Sequence, residues 1–318
     1  MRIYVAGATG AVGKRLVPLL VARGHRVVAS TRTSAKTDEL RAWGAEPVIV
    51  DGLDRDAVMR AVVAARPDAV VHQMTALARL RNLKAFDAEF ALTNRLRTEG
   101  TEYLLAGAAA AGASRFIAQS YTGWPNAHDG ARVQSEDDAL ESNPPRAMRP
   151  TLDAILQLEA LVAGASGMTG VVLRYGSFYG PGTSLGPGGD LVQMVQQRKF
   201  PVVGGGAGVW SFVHVDDLAA ATRLAIEGGP SGLYNIVDDD PAEVSTWLPA
   251  LAEAVGAKPP HRIPAWLGRL AIGEVGVLMM TRIKGSSNAR AKRLLNWRLM
   301  YPSWRDGFRE LFAARSAA

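Results

Sequence analysis

The stretch "YVAGATGAVGKRL", residues 4–16, decides the fold. It opens as an apolar run, which predicts a buried strand, and closes as the start of an amphipathic stretch, which predicts a helix. Between the two stand Gly7, Gly10 and Gly13. A turn this tight needs one residue free of Cβ strain. A backbone that approaches a pyrophosphate needs a second, and close packing of helix on strand needs a third. The helix N-terminus then offers unpaired N–H groups to phosphate. The spacing is G-x-x-G-x-x-G, not the G-x-G-x-x-G of the standard dinucleotide fingerprint. Gly7, Thr9, Gly10, Ala11, Val12 and Gly13 are the expected phosphate-side residues. The competing reading of the same glycines is a purely structural turn.

The pattern continues outward. "RVVAS", "PVIV", "AVVHQM", "RFIAQS", "GVVLRYG" and "GLYNIVD" are short runs rich in Val and Ile, and amphipathic stretches lie between the early ones. This alternation predicts βαβ units and an α/β fold with a doubly wound parallel sheet. Pro18 falls inside the first helix, where it removes a hydrogen bond and predicts a kink. Beyond residue 180 the Gly/Pro loops "GPGTSLGPGGD" and "VVGGGAGVWSF" and the Pro-rich "KPPHRIPAWLG" break the regularity. They predict a smaller, discontinuous C-terminal α/β lobe. Residues 1–180 plus 211–237 form the nucleotide-binding domain in this division, and 181–210 plus 238–318 the substrate-binding lobe.

Composition narrows the class. The chain has no cysteine, which excludes disulfides and thiolate metal sites. No apolar run reaches the roughly 18 residues of a membrane span, and the N-terminus lacks the pattern of a signal peptide. A cytoplasmic protein without a membrane partner is expected. Net charge is +6, and eight basic residues against one acidic lie between Arg282 and Arg309. We read that segment as a solvated helical face, not a nucleic-acid footprint. The five histidines lack metal-ligand spacing, and no G-x-S-x-G elbow is present.

The second strand distinguishes the nucleotides. An acidic residue at its end would bind a ribose 2′-hydroxyl. The strand ends "VVASTRTSAK", and no acid appears before Asp38. Arg32, with Thr31 and Lys36 close by, suits a 2′-phosphate, so NADP(H) is favoured over NAD(H). Asp51 and Gly52 after the third strand are placed at the adenine. Gln73, Met74 and Thr75 after the fourth are placed near the nicotinamide ribose. His72 reads as a core histidine.

The motifs "GATGAVG", "GTEYLLAGAAAAGASRFIAQS", "VVLRYGSFYGPG" and "WSFVHVDDLAAA" resemble the extended short-chain dehydrogenase/reductase superfamily, in its NAD(P)-dependent epimerase/dehydratase branch. The resemblance runs over nearly the whole chain. It implies a Rossmann domain carrying the cofactor, with Tyr175 and Ser177 on the nicotinamide side, and a small C-terminal domain carrying substrate specificity. Dimers formed through a helix pair are common in that superfamily. It also implies a catalytic Tyr, a Lys four residues later and an upstream Ser. Ser120 matches the upstream Ser. In "RPTLDAILQLE", residues 149–159, counting back from Glu159 places Thr151 and Ile155 where the Tyr and Lys would stand. The family's active-site Asn falls on Arg97, with Asn94 offset. The chain thus resembles the atypical members. Tyr121, next to Ser120, is the best replacement phenol, although strand neighbours face opposite sides.

A largely apolar substrate pocket is expected from Leu77, Trp124, Thr151, Phe178 and Trp210, with Met74 and the pair Met279–Met280 as further wall residues. Three functions follow. The leading one is an NADPH-dependent oxidoreductase reducing a small apolar or aromatic molecule, with Ser120 orienting the substrate and Tyr121 or water supplying the proton. The others are a non-catalytic NADP(H)-binding sensor and a redox-neutral epimerase or dehydratase.

Overall fold

Seven parallel strands form one sheet in a computed structural model that describes residues 1–77 and 83–313. From one edge to the other the strands are Gly232–Ile236, Thr169–Tyr175, Arg115–Tyr121, Ala69–His72, Arg2–Ala6, Arg26–Thr31 and Glu46–Ile49. All seven runs read as strands in the sequence are members of this sheet, which is flanked by helices as a doubly wound fold requires. The order reverses beside Arg2–Ala6, and ligands of such sheets bind at that switch point, outside the carboxyl ends of the strands.

Alternating side chains divide the interior into two layers. Ile3 and Val5 face one side, with Leu16 and Leu20 of helix Gly13–Ala22 and with Ala221 and Ala225 of helix Val215–Glu227. Tyr4 and Ala6 face the other, with Val58 and Val62 of helix Arg55–Ala65 and with Leu158 and Val162 of helix Arg149–Ala163. Helix Gly13–Ala22 runs through Pro18 as one element, so the expected kink does not divide it.

The smaller C-terminal α/β region has its own core around Phe212, Trp247, Trp304 and Phe308. The expected division of the chain is not clean at its C-terminal end. Ala291, Leu295 and Trp297 pack into the nucleotide-side core, although they lie beyond residue 238. Residues 314–318 of the proposed lobe lie outside the described residues. Among the described residues no helix is long and apolar enough to cross a membrane.

Candidate active site

The three glycines of the first loop have three different neighbourhoods. Gly7 has φ +83°, and a Cβ there would lie 2.7 Å from the backbone of Gln73. It lets the first strand's end pass against the fourth's. A Cβ on Gly13 would drive into the backbone of Ala8, so Gly13 sets how closely the helix approaches the loop. A Cβ on Gly10 would meet nothing nearer than the Gly7 carbonyl oxygen at 3.4 Å. Nothing among the described residues crowds this exposed position, which leaves it free for the backbone approach of a phosphate.

The helix that follows is open at its N-terminus. No side chain caps it, and the N–H groups of Ala11, Val12 and Gly13 make no hydrogen bond among the described residues. Two other helices among the described residues carry a side-chain cap. Asp54 accepts from the Ala57 N–H at 3.0 Å, and His214 Nδ1 accepts from the Asp216 N–H at 3.2 Å. Unpaired donors beside the switch point, next to an uncrowded glycine, fit the pyrophosphate of a dinucleotide. Thr9 lies between Ala8 and Gly10 on the same loop, half-buried.

Thr31 ends the second strand, buried, and exposed Arg32 makes no ion pair or hydrogen bond among the described residues. Its neighbour Lys36 is engaged, bonding Glu39 at 3.1 Å while Lys14 approaches the same carboxylate at 3.3 Å. The Lys36 bond, followed by Lys14, holds the Glu39 carboxyl below its ordinary range. Asp51 is exposed and turns the loop by accepting from the Leu53 N–H at 3.0 Å. A Cβ on Gly52 would strike the sulfur of Met74, which joins the loops after the third and fourth strands.

On the other side of the switch point, His72 donates from Nε2 to the Leu96 carbonyl at 3.0 Å and accepts from the Met74 N–H at 3.1 Å. Burial pushes this imidazole down to about 4, so it is a neutral core histidine that steers Met74. Gln73 is buried, and its Nε2 donates to the Tyr175 hydroxyl at 2.7 Å while its Oε1 has no partner among the described residues. Tyr175 lies inside the core, with its hydroxyl also 2.8 Å from Thr222 Oγ1. Its reach is to Gln73. Thr75 is exposed beside them.

Ser120 and Tyr121 point in different directions, as strand neighbours must. The Ser120 hydroxyl donates to Glu159 Oε1 at 2.7 Å, and Arg174 holds both Glu159 oxygens, at 2.8 and 2.5 Å. Ser120 therefore belongs to a buried polar network between sheet and helix. Tyr121 instead joins an apolar cluster at the open end of the sheet, with its hydroxyl 3.5 Å from Ser177 Oγ. Burial raises its phenol, while Ser177 and the charge of Arg97 act in the opposite direction.

That cluster gathers the expected pocket residues Leu77, Trp124 and Trp210 around Phe86, Phe90, Leu152 and Ile155. Thr151 lies one turn before Ile155, buried, and accepts from Asn94 Nδ2 at 3.0 Å. Three expected wall residues lie elsewhere. Phe178 packs against the nucleotide-side core, Met74 against the core on the other face of the sheet, and Met280 faces the C-terminal core while Met279 stays with the cluster.

The helix Phe86–Arg97 is the part that sequence reasoning missed. Phe86, Phe90, Asn94 and Arg97 recur at helical spacing and line one face, and that periodicity was the available signal. Asn94, whose register is offset from the family's active-site Asn, is the residue that reaches Thr151.

Comparison with known proteins agrees with this geometry. Residues 3–236 match the NAD dependent epimerase/dehydratase family. A 3-diazoavenalumate denitrifying reductase from a Streptomyces species is 44% identical over 308 residues, covering 96% of this chain and 99% of the relative. A 4-hydroxy-2-methyl-3-oxo-4-farnesyl-3,4-dihydroquinoline-1-oxide ketoreductase from Stigmatella aurantiaca is 31% identical, covering 81% of this chain and 74% of the relative. Among solved structures, a UDP-glucose 4-epimerase with UDP-glucose from Thermotoga maritima superposes with a TM-score of 0.77 at 22% identity, over the full length of both chains. It speaks for the fold, whereas the reductase names point to NAD(P)-dependent oxidoreduction. The chain belongs to the NAD dependent epimerase/dehydratase family.

Proposed function

We propose that this chain is an NADPH-dependent reductase of a small apolar or aromatic molecule, with Tyr121 as its proton donor. The observation that carries the reading is the position of Tyr121, the one phenol within the aromatic cluster at the open end of the sheet.

The open helix end and the uncrowded Gly10 fit a dinucleotide. Gly7, Thr9, Gly10, Ala11, Val12 and Gly13 would hold the pyrophosphate. Arg32, with Thr31 and Lys36, would take the 2′-phosphate, and Asp51 and Gly52 the adenine. Gln73, Met74, Thr75 and Ser177 would border the nicotinamide side, with Tyr175 holding Gln73 in place. Bound there, the nicotinamide supplies hydride. Leu77, Trp124, Ile155 and Trp210 would exclude water from the substrate, and Thr151, held by Asn94, would close the wall. Tyr121 would give its proton to the oxygen that becomes an alkoxide, and the phenolate would recover its proton from solvent.

A second reading is favoured by Thr151 and Ile155, neither of which can serve as an acid at neutral pH, and by the name of the Streptomyces relative. Carbonyl reduction consumes hydride and a proton. Replacing the diazonium group of an arene by hydride yields the arene and dinitrogen, and consumes no proton. Assaying NADPH oxidation with aromatic ketones, aromatic aldehydes and an arenediazonium salt separates the two. Turnover of the carbonyls supports Tyr121 as donor. Turnover of the diazonium salt alone, with dinitrogen released, supports the second reading. Tight NADPH binding without turnover of any of them would overturn both in favour of a sensor.

A further inference from the structure

Arg97 is 5% exposed, and its Nη1 has no hydrogen-bond partner among the described residues. An arginine cannot shed its proton to escape this position, and a buried charge without a complement is costly. Burial pulls its guanidinium down to about 10, while Tyr121 and Glu159 favour the charge. Glu159 is no complement, because Arg174 already holds both of its oxygens. Arg97, Arg174 and Glu159 together leave one positive charge unbalanced.

Two hydrogen bonds fix where that charge lies. Asn94 bonds Thr151 at 3.0 Å, and Glu102 bonds Gln157 at 3.1 Å. The chain segments 86–110 and 149–163 therefore advance side by side in the same direction. Arg97 lies between the two bonds, at the level of the turn that follows Thr151. Ile155 occupies that turn and brings no charge.

We propose that Arg97 is the positioning residue for the Tyr121 phenol, supplying from the neighbouring helix the buried positive charge that helix Arg149–Ala163 lacks. The proposal rests on the reading of Tyr121 as proton donor, but its test does not need turnover. The groups around the phenol are few. Helix Phe86–Arg97 contributes Arg97 and the neutral Asn94. Helix Arg149–Ala163 contributes Glu159, neutralised by Arg174 of the adjacent strand, and Asp153, which is exposed. Ser177 and Tyr175 are uncharged, and His128 is paired with Glu141 at 2.9 Å, with Arg282 and Lys284 near that pair. Arg97 is the buried charge among them without a partner among the described residues. As a proton donor the phenol must be protonated, so activity falls as pH rises through its pKa. Removing Arg97 raises that pKa.

The experiment is an ultraviolet tyrosinate titration of the cofactor-free protein, comparing wild type with Arg97→Met and Arg97→Lys. Tyr121→Phe serves as the blank that isolates the one phenol. Arg97→Met should move the Tyr121 titration to higher pH by a unit or more and lower turnover at neutral pH by about tenfold. Arg97→Lys should hold the wild-type titration. The melting temperature of Arg97→Met should not fall, because an unbalanced buried charge has been removed. An unmoved tyrosinate titration in folded Arg97→Met, or in Arg97→Gln should the Met variant not fold, would overturn the proposal. Unchanged turnover in Tyr121→Phe would instead defeat the proton-donor reading and leave the titration result standing.

Discussion

The glycine loop and the helix Arg149–Ala163 both border the open end of one sheet, yet they encode their roles differently. In the loop, function is written into backbone geometry. Gly7 and Gly13 are fixed by collisions with Gln73 and Ala8, and Gly10 by nothing among the described residues. In the helix, the backbone is ordinary and the chemistry lies in whichever side chain faces the cleft. There Thr151 and Ile155 are buried on the side of the apolar cluster and bring no acid or base to it. In the proposed reading, nucleotide binding is held by the frame, and the proton donor is carried by a different element, the strand that ends at Tyr121.

The largest expected effect tests the frame. Gly13→Ala should destabilise the protein by about 1–3 kcal/mol, because helix and loop must separate, and should abolish nucleotide binding. Gly10→Ala should leave the melting temperature nearly unchanged, within about 0.5 kcal/mol, and weaken nucleotide binding about tenfold or more. Thermal unfolding and nucleotide titration of the pair check this. Equal loss of stability in both variants would remove the distinction between a packing glycine and a ligand glycine.

A smaller effect separates the two nucleotides. Arg32→Ala should weaken NADPH by about tenfold, the scale of one lost charged hydrogen bond, and leave NADH within about twofold. Equal losses would sever Arg32 from the 2′-phosphate. A separate effect is on pH. His72 is neutral in the fold, with its imidazole pushed from 6.5 down to about 4. The unfolded chain therefore binds the extra proton first. Stability should fall as pH drops from about 6.5 to about 4, by up to about 3 kcal/mol, and His72→Gln should flatten that slope. Denaturant titration across that range reads it directly.

Much of this was legible in the sequence because it follows from periodicity and steric need. All seven sheet strands, the glycine loop and the core role of His72 are set by local patterns. The direction of single side chains was less legible. Ser120 and Tyr121 alternate across the sheet, and only the packing of helix Arg149–Ala163 shows that Ser120 faces Glu159 while Tyr121 faces the cluster. Tyr175 sits in an expected strand and Phe178 in the short strand Ser177–Tyr179 outside the main sheet, and both turn inward, because the layer under Thr222 and helix Gly13–Ala22 claims them. Arg97 acquires meaning only when two helices distant in sequence are set side by side. Convergence of that kind leaves no spacing to read.

The central claim is that the phenol of Tyr121 does the work expected of a tyrosine at position 151. The most direct test is Tyr121→Phe, measured for NADPH affinity and for turnover of a carbonyl substrate that the wild-type protein reduces. Tyr121→Phe should keep the wild-type NADPH affinity and lower kcat by about a hundredfold. Turnover at the wild-type rate, with NADPH still bound, would contradict it.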